Sequence, residues 1–130
     1  MAILRAPRQP RISIEHLEQV KLVNWVRKMY PVESEYMFAV PNGGARNPVV
    51  AQKLKAEGVV AGVPDLMLLC PSRGAHGLAI EMKRPGAKQN ALSPAQRAWL
   101  SRLDHVGYWA HMAAGFEEAK ELIQEYLGCV

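Results

Sequence analysis

Residues 65–83 place the tightest constraint on how this chain can fold. DLMLLC at 65–70 is an unbroken apolar run, turn residues follow at 71–74, and GLAIEMK at 77–83 alternates apolar with charged positions. The first run suits a strand buried on both faces and the second a strand with one charged face. Pro64 stands where the first strand begins, a position at which its missing N–H costs little. Helical spacing brackets this block. Over 13–29, Leu17, Val20, Leu22, Val23, Val26 and Met29 recur with a helix period, and Pro31 ends the segment. At the other end, Phe116, Ala119, Leu122, Ile123, Tyr126 and Leu127 mark a last amphipathic helix closed by Gly128.

Between these elements the punctuation is local. Residues 36–40 are β-prone, and Asn47 and Pro48 cap and open a helix that stops before Gly58. Ser93, Pro94 and Gln96 supply an N-cap, a first-turn proline and a capping-box glutamine, which predicts a helix over 94–104, followed by a strand over 107–112. The predicted order is helix, strand, helix, strand, strand, helix, strand, helix, an α/β arrangement. A chain of 130 residues with 49% hydrophobic content has the material for one core, so one domain is expected over 13–130. Residues 1–12 form a basic arm carrying Arg5, Arg8 and Arg11.

No apolar run is long enough to cross a bilayer and no secretory leader is visible, so a soluble, cytoplasmic protein with no membrane partner is expected. Cys70 and Cys129 give neither a disulfide framework nor metal-ligand spacing. The four histidines fit no zinc pattern, and Trp25, Trp99 and Trp109 read as packing residues. A net charge of +4 and a pI near 9.3 favour an anionic partner, nucleic acid being the natural one, although a mildly basic solvated surface has the same composition.

The chemistry converges on three residues. Glu81 and Lys83 stand two apart on one strand and so share a face, while Leu78, Ile80 and Met82 fill the other. If the two central strands pair, Glu81 comes opposite Asp65. Two carboxylates held together call for a shared proton or a bound cation. Magnesium takes one or two protein carboxylates and keeps room for water and phosphate, and the donors available are Asp65, Glu81 and the backbone carbonyl of Met82. Such an ion acidifies water, and Lys83 on the same face can orient or deprotonate the attacking water or offset developing charge. On a helical wheel Glu15 and Gln19 project near the middle of the first helix's apolar face, with Glu18 closer to its edge.

Pro64-Asp65 followed by Glu81-Met82-Lys83 resembles the PD-(D/E)xK nuclease signature. Gly58, GVPDLMLL, GLAIEMKRPG, the LSPAQ helix start and the Gly107 strand are together similar to the VRR-NUC branch of that superfamily, particularly its small stand-alone members of phage type, over about 13–127. The resemblance implies a restriction-endonuclease-like mixed β-sheet flanked by helices. It also implies a DNA endonuclease dependent on magnesium or manganese, acting as a homodimer on branched or Holliday-junction DNA, in a cell that a phage has infected. The family's first-helix glutamate falls on Glu15 or Glu18, its metal-binding acids on Asp65 and Glu81, its lysine on Lys83 and its glutamine on Gln96, which the capping box also explains. Arg84, Lys88 and Arg97 are candidates to line a path for the DNA backbone, and a charged solvated face predicts the same residues. A DNA-binding module that does not cut and an RNA-directed phosphodiesterase remain the alternatives.

Overall fold

The computed structural model describes residues 12–41 and 47–128. Arg5, Arg8 and Arg11 of the basic arm, the tip of the turn cluster at 42–46 and Cys129 lie outside the described residues. Helix α1 (Ile14–Met29) starts at Ser13, whose Oγ accepts the His16 N–H at 3.1 Å, and it buries Leu22 and Val26. A 3-10 turn (Glu33–Tyr36) leads into strand β1 (Met37–Ala39). Helix α2 (Pro48–Ala56) begins where Asn47 Oδ1 accepts the Val49 N–H at 2.9 Å, and none of its residues is buried. Strands β2 (Leu66–Leu68) and β3 (Leu78–Lys83) follow, then helix α3 (Pro94–His105), strand β4 (Trp109–Ala114) and helix α4 (Gly115–Leu127).

The sheet runs β1-β2-β3-β4, antiparallel across the first two pairings and parallel between β3 and β4, which α3 connects. A mixed sheet with flanking helices is the arrangement the sequence predicts. On one face Leu66, Leu68, Leu78, Ile80 and Met82 meet Leu22 and Val26 of α1 and Ala119, Ile123 and Tyr126 of α4 in a single core. The residues between them on β3, Ala79 and Glu81, turn to the other face and are buried there too, on the side where α3 packs. Tyr126 locks the β2–β3 hairpin to α4: its hydroxyl donates to the Cys70 carbonyl and its own carbonyl accepts the Ser72 hydroxyl. Of the tryptophans, Trp25 packs edge-on against Tyr30 and Phe116, and Trp109 against Tyr126. No described helix is long and apolar enough to cross a membrane.

Two strand boundaries differ from expectation. The run at 65–70 yields a strand only over Leu66–Leu68: Leu69 N–H still donates to the Tyr36 carbonyl in register, but Tyr36 already belongs to the 3-10 turn. The strand expected over 107–112 lies at Trp109–Ala114. Gly107 instead makes a turn at φ +97, against the His76 ring, where an added Cβ would lie 2.7 Å from a ring carbon.

Helix α4 has no capping side chain of its own, since Ala114 stands at the cap position. Glu18 of α1 supplies what is missing: its Oε2 accepts the Phe116 N–H at 3.3 Å and places negative charge at the helix start, while pairing with Lys21 at 3.6 Å. Glu18→Ala is therefore expected to lower the unfolding free energy by about 0.5–2 kcal/mol in urea denaturation, the range for a lost helix cap. Glu18→Gln, which still offers an acceptor, should recover part of that loss.

Candidate active site

Asp65 is held from two sides. Its backbone carbonyl accepts the Val40 N–H at 2.8 Å, tying it to the end of β1, and its Oδ2 accepts the Met82 N–H at 2.8 Å. The pairing of Leu66 with Ile80, carried one residue further, sets Asp65 opposite Glu81. The segment leading to Asp65 lies against the first turn of α3. Gly62, at φ +88, permits this approach, because an added Cβ would sit 2.6 Å from the Ala95 carbonyl carbon. Pro64 after it is fully buried.

Glu81 is only 3% exposed, an unusual burial for a carboxylate. Its Oε1 accepts a hydrogen bond from Gln96 Nε2 at 2.8 Å and lies 4.0 Å from Lys83 Nζ. Its Oε2 is buried with no hydrogen-bond partner among the described residues. Gln96 is fixed by the capping box: its N–H donates to Ser93 Oγ at 3.1 Å and its Oε1 accepts the Ser93 N–H at 2.9 Å. The capping-box reading of this glutamine holds, and the other end of its amide reaches Glu81.

Burial, and then the neighbouring Asp65 charge, push the Glu81 carboxyl up from the usual 4.5 to about 8, with Lys83 opposing them. Asp65 is also raised, by burial first, against the pull of its hydrogen bond from Met82. Near neutral pH the pair therefore retains a proton shared between the two carboxyls, and a cation that displaced it would take over its part in relieving the repulsion. Among the described residues no three His, Cys, Asp or Glu side chains gather as a ligand set. Two carboxylates held opposite each other fit a hard divalent ion that keeps water and phosphate oxygens in its remaining positions.

Glu15 is not core-facing as the wheel has it. Every residue of α1's first turn is exposed, and Glu15 stands at the mouth of the site, where two clefts meet. One, of about 490 Å³, is lined by Glu15, Lys83, Arg84 and Lys88, with Asn90 beside them. The other, of about 480 Å³, runs from Glu15 and Asp65 along α1 to Arg27. The Glu15 charge reaches Asp65 and contributes to raising its carboxyl, whereas Glu18 is turned to α4. Lys83, Arg84 and Lys88 are thus gathered together, but Arg97 is not among the residues lining that cleft, and its guanidinium donates to the Leu92 carbonyl at 3.4 Å. The sequence reading did not single out His16, Val20, Val23, Asn24 and Arg27 as a site wall; their helical spacing is the signal for it.

The VRR-NUC domain family matches residues 9–117 of the chain. A solved structure described as a VRR_NUC domain protein superposes with a TM-score of 0.77 at 28% identity, covering 92% of this chain and 93% of the other. No curated protein matches the chain.

The raised Glu81 carboxyl has a consequence for stability. The folded state binds an extra proton between the usual 4.5 and the folded value of about 8, so the stabilisation is complete below about pH 4.5 and is lost as pH rises through about 8. In EDTA, Tm should fall across that window, and Glu81→Gln should flatten the fall and melt above the wild type at its alkaline end. A wild-type Tm that stays level over the window would contradict this reading of the pair.

Proposed function

The chain belongs to the VRR-NUC family of PD-(D/E)xK-type nucleases, and from that premise we propose that it hydrolyses phosphodiester bonds in DNA with magnesium or manganese held by Asp65, Glu81 and the Met82 carbonyl. The observation that carries the reading is the buried Glu81 carboxyl, whose Oε2 meets no donor group of the described residues, with Asp65 opposite and Lys83 on the same strand face. When bound, the ion would acidify a water and polarise the phosphodiester. The chain's own residues do the positioning. Gln96 fixes the Glu81 carboxylate and the Met82 N–H fixes Asp65, so the ligand oxygens need little reorganisation. Lys83, with a side chain 13% exposed, is placed to orient the attacking water and to offset charge that develops on the phosphate. Glu15 faces the same space from the mouth and helps to hold that water. Arg84 and Lys88 take the neighbouring phosphates of the strand.

A domain of this size has little surface for selecting a substrate, and a homodimer that presents two sites to branched DNA supplies it. Support comes from α2 and the edge strand, where Val49, Val50 and Phe38 are exposed apolar side chains among the described residues. In analytical ultracentrifugation the chain should sediment as a dimer, and a monomer both with and without DNA would remove this part of the proposal.

End-labelled duplex, flap and four-way-junction DNA should be cut with magnesium or manganese and left intact in EDTA. Glu81→Ala and Lys83→Ala should each lower the rate by about 100-fold or more. A wild type that binds these DNAs but cuts none with either metal would instead make the chain a binding module.

A further inference from the structure

The two clefts that meet at Glu15 differ in chemistry. The one beside Lys83 offers three cations within a short stretch of chain, as a path for phosphates does. The one along α1 does not. From Glu15 to Arg27 the helix advances ~18 Å at its usual rise per residue, and among the described residues no lysine or arginine lines the cleft before Arg27. Its helix wall carries His16, Val20 and Val23 in one stripe, with Gln19 and Asn24 alongside, and Val40 and Pro41 face them from the end of β1. Branched aliphatic side chains give flat base faces an apolar wall, and carboxamides pair with base edges as both donors and acceptors. Among the described residues Arg27, at the far end, is the one lysine or arginine of this cleft, so contacts to bases rather than a track of phosphates would carry binding along it.

We infer that this cleft is a subsite for unpaired nucleotides adjoining the scissile phosphate. Bases lie against Val20, Val23, Val40 and Pro41, Gln19 and Asn24 hydrogen-bond their edges, and Arg27 holds a phosphate at the far end. The inference rests on the nuclease reading and deepens it. Paired DNA lies on the Lys83, Arg84 and Lys88 side, the unpaired strand lies along α1, and Glu15 stands where the strand passes from one to the other.

The test is binding by fluorescence anisotropy in EDTA with the full chain and three probes: a blunt duplex, the same duplex with a single-stranded thymidine tail, and one whose tail carries abasic sites. The thymidine tail should tighten binding by about tenfold or more, the scale of base contacts, and the abasic tail should recover only a minor part of that gain. Asn24→Ala with Arg27→Ala should abolish the gain while changing affinity for blunt duplex by less than about twofold. Both side chains are exposed, so an unaltered Tm checks that the variant folds. Equal gains from both tails, a gain that survives in the variant, or no gain in the wild type would each overturn the subsite. A wild type that cuts duplex with metal but gains nothing from the tail overturns the subsite and leaves the nuclease reading intact. A gain from the tail with no cutting of any DNA keeps the subsite and overturns the nuclease reading.

Discussion

The hydrogen bond from the Met82 N–H to Asp65 Oδ2 is the contact on which the site depends, because it joins strand pairing to chemistry. A carboxylate at the start of β2 reaches across to the backbone of β3 and is thereby held opposite Glu81. Proteins avoid burying two acids together, since desolvation and mutual repulsion act in the same direction. Here the antiparallel register leaves the pair no way apart. The consequence is visible in the raised Glu81 carboxyl and in an oxygen that only a shared proton or a cation can satisfy.

Strand β3 makes this arrangement rigid. Its Leu78, Ile80 and Met82 belong to the common core with α1 and α4, so the face that carries Glu81 and Lys83 cannot shift without disturbing that core. Helix α1 divides two tasks between acids three residues apart. Glu18 ties the helix to the start of α4, and that attachment sets where the exposed first turn, with Glu15, projects over the acids. A structural carboxylate thus positions a candidate catalytic one.

Features set by neighbours in sequence were legible in the sequence. The start of α3 followed from Ser93, Pro94 and Gln96, the start of α2 from Asn47 and Pro48, and the shared face of Glu81 and Lys83 from the two-residue strand period. The meeting of Asp65 with Glu81 needed one further assumption, that consecutive strands pair, and the register agrees with it. What was not legible depends on distant parts of the chain. No periodicity shows that Glu18 caps a helix 98 residues away, or that β2 ends where Tyr36 sits in a 3-10 turn. The wheel put Glu15 on the apolar face of α1, and its exposure at the mouth of the site depends on distant parts of the chain that no wheel contains. The α1 cleft was hidden for the same reason, since its second wall comes from Val40 and Pro41.

Gln96 illustrates how two local rules combine into a stricter one. For closing a helix, glutamate and glutamine at this position are interchangeable, because either oxygen can accept the cap N–H. This side chain also has to donate, to Glu81 Oε1. Glutamate would keep the cap and lose the donor, adding a third carboxyl to a pair already in conflict. The position is therefore degenerate as helix grammar and restrictive as chemistry: a sequence selected for stability alone could drift between the two residues, whereas one selected for a poised Glu81 keeps the amide.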